Sequence, residues 1–104
     1  MHGRRAGLLG RIEHGEATVD TNHGYQVIEV QRGIVDSANS RQLTVRSADG
    51  FSATYVVNNS TKIHKDRRAR DIGQVAANDR VIVLAIKTGS TTAATRIGDL
   101  GPAR

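Results

Sequence analysis

The stretch Lys62 to Arg70, KIHKDRRAR, holds five of the chain's fifteen Lys and Arg residues and a single acid, Asp66. Cations at that density do one kind of chemistry: they neutralise the phosphates or carboxylates of a polyanion, with an affinity that falls as salt rises. The contact set is Lys62, Lys65, Arg67, Arg68 and Arg70. Taking these and Asp66 from fifteen bases and ten acids leaves 10 against 9, so the net charge of +5 is concentrated in this segment and in Arg4, Arg5 and Arg11 near the start. Single-stranded nucleic acid also needs aromatic platforms for its bases. Of the three aromatics, Phe51 and Tyr55 alternate onto a core face, which leaves Tyr25 to stack. The plainer reading is a solvated loop that keeps a sheet edge from pairing with other chains, and it is favoured for a charge run without aromatic partners.

Other chemistry is sparse. His14 and Glu16, two apart on a strand, would point two metal ligands to one side, but the sequence offers no obvious third, so no metal and no cofactor is expected. His2, His23 and His64 lie in the start, in a turn and beside the basic run. No G-x-S-x-G elbow is present, and Ser37, Ser40, Ser47 and Ser60 fall where turns need them, so an enzyme is not expected. The chain has no Cys, which excludes disulfides and thiolate metal sites. No run approaches the roughly 20 apolar residues of a membrane span, and MHGRRAGLLG has no apolar segment long enough for a signal peptide. The expectation is a chain without a transmembrane or targeting segment of its own.

The elements that must position these residues read as strands. Glu16 to Thr21 and Tyr25 to Asp36 form a hairpin about Asn22-His23-Gly24, with Gly33 marking a bulge or bend that lets the long strand serve two sides of a curved sheet. Arg41 to Ser47 alternates, with Leu43 and Val45 inward and Thr44 and Arg46 outward. After Ala48-Asp49-Gly50, the residues Phe51, Ala53, Tyr55 and Val57 share one face of the returning strand. The segment TKIH is a short strand, the basic run straddles a turn, and ARDIGQV holds one helical turn with Ile72 and Val75 inward. Val81 to Ile86 is apolar on both faces, which suits a strand covered on each side or one curling through a closed barrel. Thr91 to Ile97 is the last strand. About six short strands in one small domain predict an all-β fold, a small closed or partly open OB-like antiparallel barrel with at most one short helical turn. It spans 13–98, between a flexible basic N-terminal arm at 1–12 and a frayed tail at 99–104.

The segments HGEATV, VQRGIV, LTVRSADGFSATYVVN, TKIHKD, NDRVIVLA and TAATRI, in this order, resemble the bacterial family catalogued as domain of unknown function 5666. The resemblance runs from about Glu13 to Ile97 and is strongest over Arg46 to Phe51, residues of turn and core. It implies an OB-like barrel in an exported or membrane-tethered protein of the bacterial cell envelope, and no activity, cofactor or catalytic residue. The chain departs from the family at Arg67 and Arg68, where Gly is frequent, and at Asn78, where Gly commonly precedes Asp. Asn tolerates the left-handed conformation, so the second change is mild.

The expected function is a noncatalytic binding or interaction module at the envelope, its contact surface the 62–70 hairpin with Tyr25. Its partner would be an anionic envelope component such as lipid headgroups or a wall polymer, or another protein meeting an exposed strand edge, of which an oligomer is one version. The alternative is an OB-like nucleic-acid-binding domain using the same hairpin. A metal-binding barrel built on His14 and Glu16 stands further off.

Overall fold

The computed structural model describes residues 13–65 and 68–103, with Arg70 described by its backbone alone. The expected N-terminal arm lies outside these residues. Eight strands follow in order: β1 (His14–Thr21), β2 (Gly24–Ala38), β3 (Gln42–Arg46), β4 (Ser52–Val56), β5 (Lys62–Lys65), β6 (Arg68–Arg70), β7 (Asp79–Thr88) and β8 (Thr91–Pro102). One 3-10 turn, Ile72–Gln74, precedes β7.

Each hairpin grows from its turn chemistry. Gly24 takes a φ of 99° after β1, where Thr21 Oγ1 donates to its carbonyl at 2.6 Å. Between β3 and β4, Gly50 takes a φ of 93°, and the register sets Leu43 against Tyr55 and Val45 against Ala53. The alternation read from the sequence holds, since Leu43, Val45, Tyr55 and Val57 are buried and Arg46 is exposed.

Five strands close on themselves in the order β2, β3, β4, β8, β7 and back to β2. All pairs in this ring are antiparallel except β4 with β8, which meet in parallel at Val56 and Ala93. A three-strand meander followed by a crossover to a strand pair, closed into a five-strand barrel, is OB-like connectivity. The remaining strands are additions: β1 extends the sheet beside β2, and the β5–β6 hairpin lies beside β8, where β5 runs parallel to it. The core holds Val35, Leu43, Val45, Tyr55, Val81, Val83, Ala85 and Ile97.

The long strand β2 serves two neighbours, as its glycine suggested, but without a break at Gly33. It pairs with β1 as far as Gln31 and with β3 from Ile34 onward, while β7 runs along its other edge. The register shift falls later, between Val35 and Ser37. What Gly33 supplies is space, since a Cβ there would sit 2.4 Å from the carbonyl oxygen of Arg46. At this handover a buried polar group stitches the strands together. Gln31 accepts from the Tyr55 hydroxyl at 2.6 Å and donates to the Val45 carbonyl at 3.0 Å and to Ser47 Oγ at 3.1 Å.

Of the two readings of β7 the curling strand holds: Val81, Val83 and Ala85 are buried, and Ile82 is 39 % exposed on the outer face of the closed barrel. Two expectations are corrected. Phe51 leaves the core: it precedes β4 at the rim, is 39 % exposed and stacks on His14 with ring centroids 3.9 Å apart. The tail is paired, since β8 runs to Pro102, opposite Asp79, and Ala103 N–H donates to the Asn78 carbonyl at 2.9 Å. The start of β7 offers that segment a partner, and Gly101 takes a φ of 88° within the pairing. The helical turn forms as expected, with Val75 buried and Ile72 partly so.

Candidate functional site

The basic hairpin forms, with Ile63, His64 and Lys65 opposite Arg70, Ala69 and Arg68, but its charges do not form one surface. Alternation along β5 turns Ile63 into the core and Lys62 and His64 out to solvent. Lys65 therefore also points inward. Its Nζ lies 3.2 Å from Asp79 Oδ2 and 3.7 Å from Asp99 Oδ2, two carboxylates that are almost wholly buried. Lys62 and Arg68 are exposed; Arg67 and the side chain of Arg70 lie outside the described residues.

Tyr25 is 78 % exposed but is not brought to the hairpin. Lys65 lies on a row that runs through Asp99 and Val81 to Gly33. Tyr25 is eight residues further along β2, a distance of about 27 Å on an extended strand.

His14 and Glu16 do share a face, and β2 sets Glu29 opposite Glu16. The set does not gather about a metal, and among the described residues no group of three or more His, Asp or Glu could hold one. His14 Nε2 is drawn to Asp49 Oδ2 at 2.8 Å, while Glu16 lies 3.9 Å from Lys87 Nζ. The Phe51 backbone N–H and then His14 hold Asp49 below the usual carboxylate range, and burial followed by the hydrogen bond with Glu16 pushes Glu29 up. His14, Glu16, Glu29 and Lys87 border a cleft of about 330 Å³.

Nor do hydroxyl and base come together. Ser47 is buried, and its hydroxyl faces the carbonyls of Arg32 at 2.6 Å and Glu13 at 3.1 Å. It closes the point where β1 ends and β3 takes over. Among the described residues no Ser or Thr hydroxyl is hydrogen-bonded to a histidine ring, the contact that activates a nucleophile.

A broad concavity lies on the outer side of that junction. It has a volume of about 820 Å³, within the range of small-ligand sites, and three of its lining residues are Arg32, Arg46 and Arg80. Sheet register explains why they converge. Ile34 is paired with Arg46 on one side and with Arg80 on the other, and Arg32 stands two residues along β2 on the same face. Arg46 and Arg80 are thus two strand spacings apart, about 10 Å, and Arg32 is about 7 Å from Ile34. Arg46 makes a long contact of 3.5 Å to Asp36, and both side chains are more than a third exposed, so the pair constrains it little.

Glu13 also lines the wall, its carboxylate facing the Ala48 N–H at 3.4 Å. Ile34 and Leu100 supply apolar surface, Leu100 being 54 % exposed. The sequence reading missed this site because each arginine is a single outward residue in its own strand. Strand pairing creates the cluster, and the outward assignment of Arg46 was its one available sign. Comparison with family models, curated proteins and solved structures finds no match.

Proposed function

We propose that this barrel is a noncatalytic binding module that meets an anionic partner through the groove of Arg32, Arg46 and Arg80, at the bacterial cell envelope as its family resemblance implies. One observation carries the reading: three arginines from three strands line a single concavity. Guanidinium is the cation that pairs bidentately with carboxylate and phosphate, and a recessed site strengthens each pair relative to open surface. The hairpin is a weaker candidate, because Lys65 is engaged by Asp79 and Asp99, which leaves Lys62 and Arg68 as its exposed cations among the described residues.

The test is an amide-shift titration with polyglutamate, with polyphosphate and with a neutral dextran, each at low and moderate salt. Shifts at Gly33, Ile34, Ala48 and Arg80 with the two anions, lost in Arg46→Gln/Arg80→Gln, are expected. Shifts confined to Lys62, His64 and Arg68, or none with any anion, would overturn it.

Nucleic acid is the second reading, favoured by the OB-like connectivity alone. Barrels of this kind bind strands across the face of the second and third barrel strands, here β3 and β4. Their outward residues include Gln42, Thr44, Ser52 and Thr54, with Thr44 and Thr54 bonded to each other at 2.9 Å, and no aromatic side chain for a base to stack on. Salt-resistant shifts on β3 and β4 with a single-stranded oligonucleotide would promote this reading over the first.

A further inference from the structure

Building on the anion-binding reading, we infer that the occupant of the arginine groove is an acidic peptide segment of a protein partner that also carries an aliphatic side chain. Three features point there. The backbone positions that carry the arginines are spread: Arg32 stands about 7 Å along β2 from Ile34, and Arg46 and Arg80 lie on either side of Ile34, about 10 Å apart across the strand. A single small anion spans one such gap. A chain bearing carboxylates at alternate residues, itself spaced by about 7 Å, engages several guanidiniums at once.

The second feature is the apolar surface between and beside the charges. Ile34 sits at the centre of the arginines, Leu100 is 54 % exposed in the same wall, and Ile82, 39 % exposed, adjoins Arg32 through strand pairing. A phosphate polymer or a wall glycan would leave these aliphatic groups in water. An aliphatic side chain set among carboxylates covers them, giving the apolar centre and charged rim that protein interfaces have. The third feature is shape. The site is recessed between β2 and the turn after β3, and Ala48 and Gly50 of that turn form part of its wall. The flat headgroup plane of a bilayer does not reach the floor of such a groove, whereas a peptide does.

The probes are a short blocked peptide of glutamate and leucine, its glutamate and serine counterpart, polyphosphate, and vesicles of phosphatidylglycerol, measured by calorimetry on the full chain and on Leu100→Ser, whose exposed site tolerates the change. The leucine peptide is expected to bind about tenfold more tightly than the serine peptide, and Leu100→Ser to abolish that difference. Equal binding of both peptides and polyphosphate would overturn the peptide inference and leave the anion-binding reading standing. Tighter binding to the vesicles than to the leucine peptide would overturn it in favour of lipid. Failure of every anion to bind would overturn both readings.

Discussion

Lys65 Nζ lies 3.2 Å from Asp79 Oδ2, so a residue from the most basic stretch of the sequence serves the interior. Asp99 stands beside the pair, with its Oδ2 buried and without a hydrogen-bond partner among the described residues. One ammonium cannot neutralise two buried carboxylates. Burial, then the neighbouring Asp79 carboxyl, raises the Asp99 carboxyl. Burial also acts on Asp79, but the neighbouring Asp99 carboxyl and hydrogen bonds with the Ala76 N–H and Lys65 outweigh it and hold that carboxyl low.

The signs differ accordingly. The lowered group stabilises the fold above its unfolded pKa and loses that contribution as pH falls through its folded value. The raised group weakens the fold as pH climbs from the ordinary carboxylate value through its own. The contribution of the cluster is therefore expected to peak between the two folded values. Urea unfolding across pH should show Asp99→Asn without the decline on the alkaline side, since an amide stays neutral and still accepts the Gly101 N–H. Asp79→Asn should lose about 3 kcal/mol at neutral pH. An Asp99→Asn profile parallel to wild type would refute the assignment.

Tyr55→Phe removes the donor to Gln31 Oε1, the one shown for it among the described residues, at a side chain that is fully buried. The expected loss is about 1–2 kcal/mol by urea denaturation. Gln31→Leu should cost more alone but less than additively with Tyr55→Phe, because the two changes break the same bond.

How much of this was legible depended on whether it was local. Period-two alternation placed Leu43, Val45, Tyr55 and Val57 correctly, and Gly24 and Gly50 marked turns that only a positive φ allows. The same alternation, carried from Ile63 to Lys65, already implied an inward lysine. Its buried partners, Asp79 and Asp99, were illegible because they arrive from β7 and β8. Barrel closure at Val56 and Ala93 and the meeting of Arg32, Arg46 and Arg80 depend likewise on pairings between distant strands, which no local pattern encodes. Phe51 misled because the face was right but the strand had already passed the rim.

Gly33→Ala should be among the most damaging single changes. Its new Cβ would meet the Arg46 carbonyl oxygen at 2.4 Å and carbon at 2.7 Å, both backbone, so no side-chain rotation relieves the clash. A loss of at least about 3 kcal/mol is expected, or a chain that does not fold. A melting temperature within a degree or two of wild type would show that β3 can shift away from β2, and the account of the handover would be wrong.

Asn78 has a φ of 72° and is the one non-glycine with positive φ among the described residues. Its N–H donates to the Val35 carbonyl at 2.8 Å, and its carbonyl accepts from Ala103 at 2.9 Å, so the turn joins the start of β7 to β2 and to the chain end. Both bonds are backbone and survive substitution; what changes is the cost of the left-handed conformation. Asn78→Gly is expected to be neutral or stabilising by a few tenths of a kcal/mol, and Asn78→Ala to lose about 1 kcal/mol, or about 5 °C in melting temperature for a domain of this size. If Ala were tolerated as well as Gly, the turn would have another conformation open to it, and the pairing of Ala103 with Asn78 should then be lost from the amide exchange pattern.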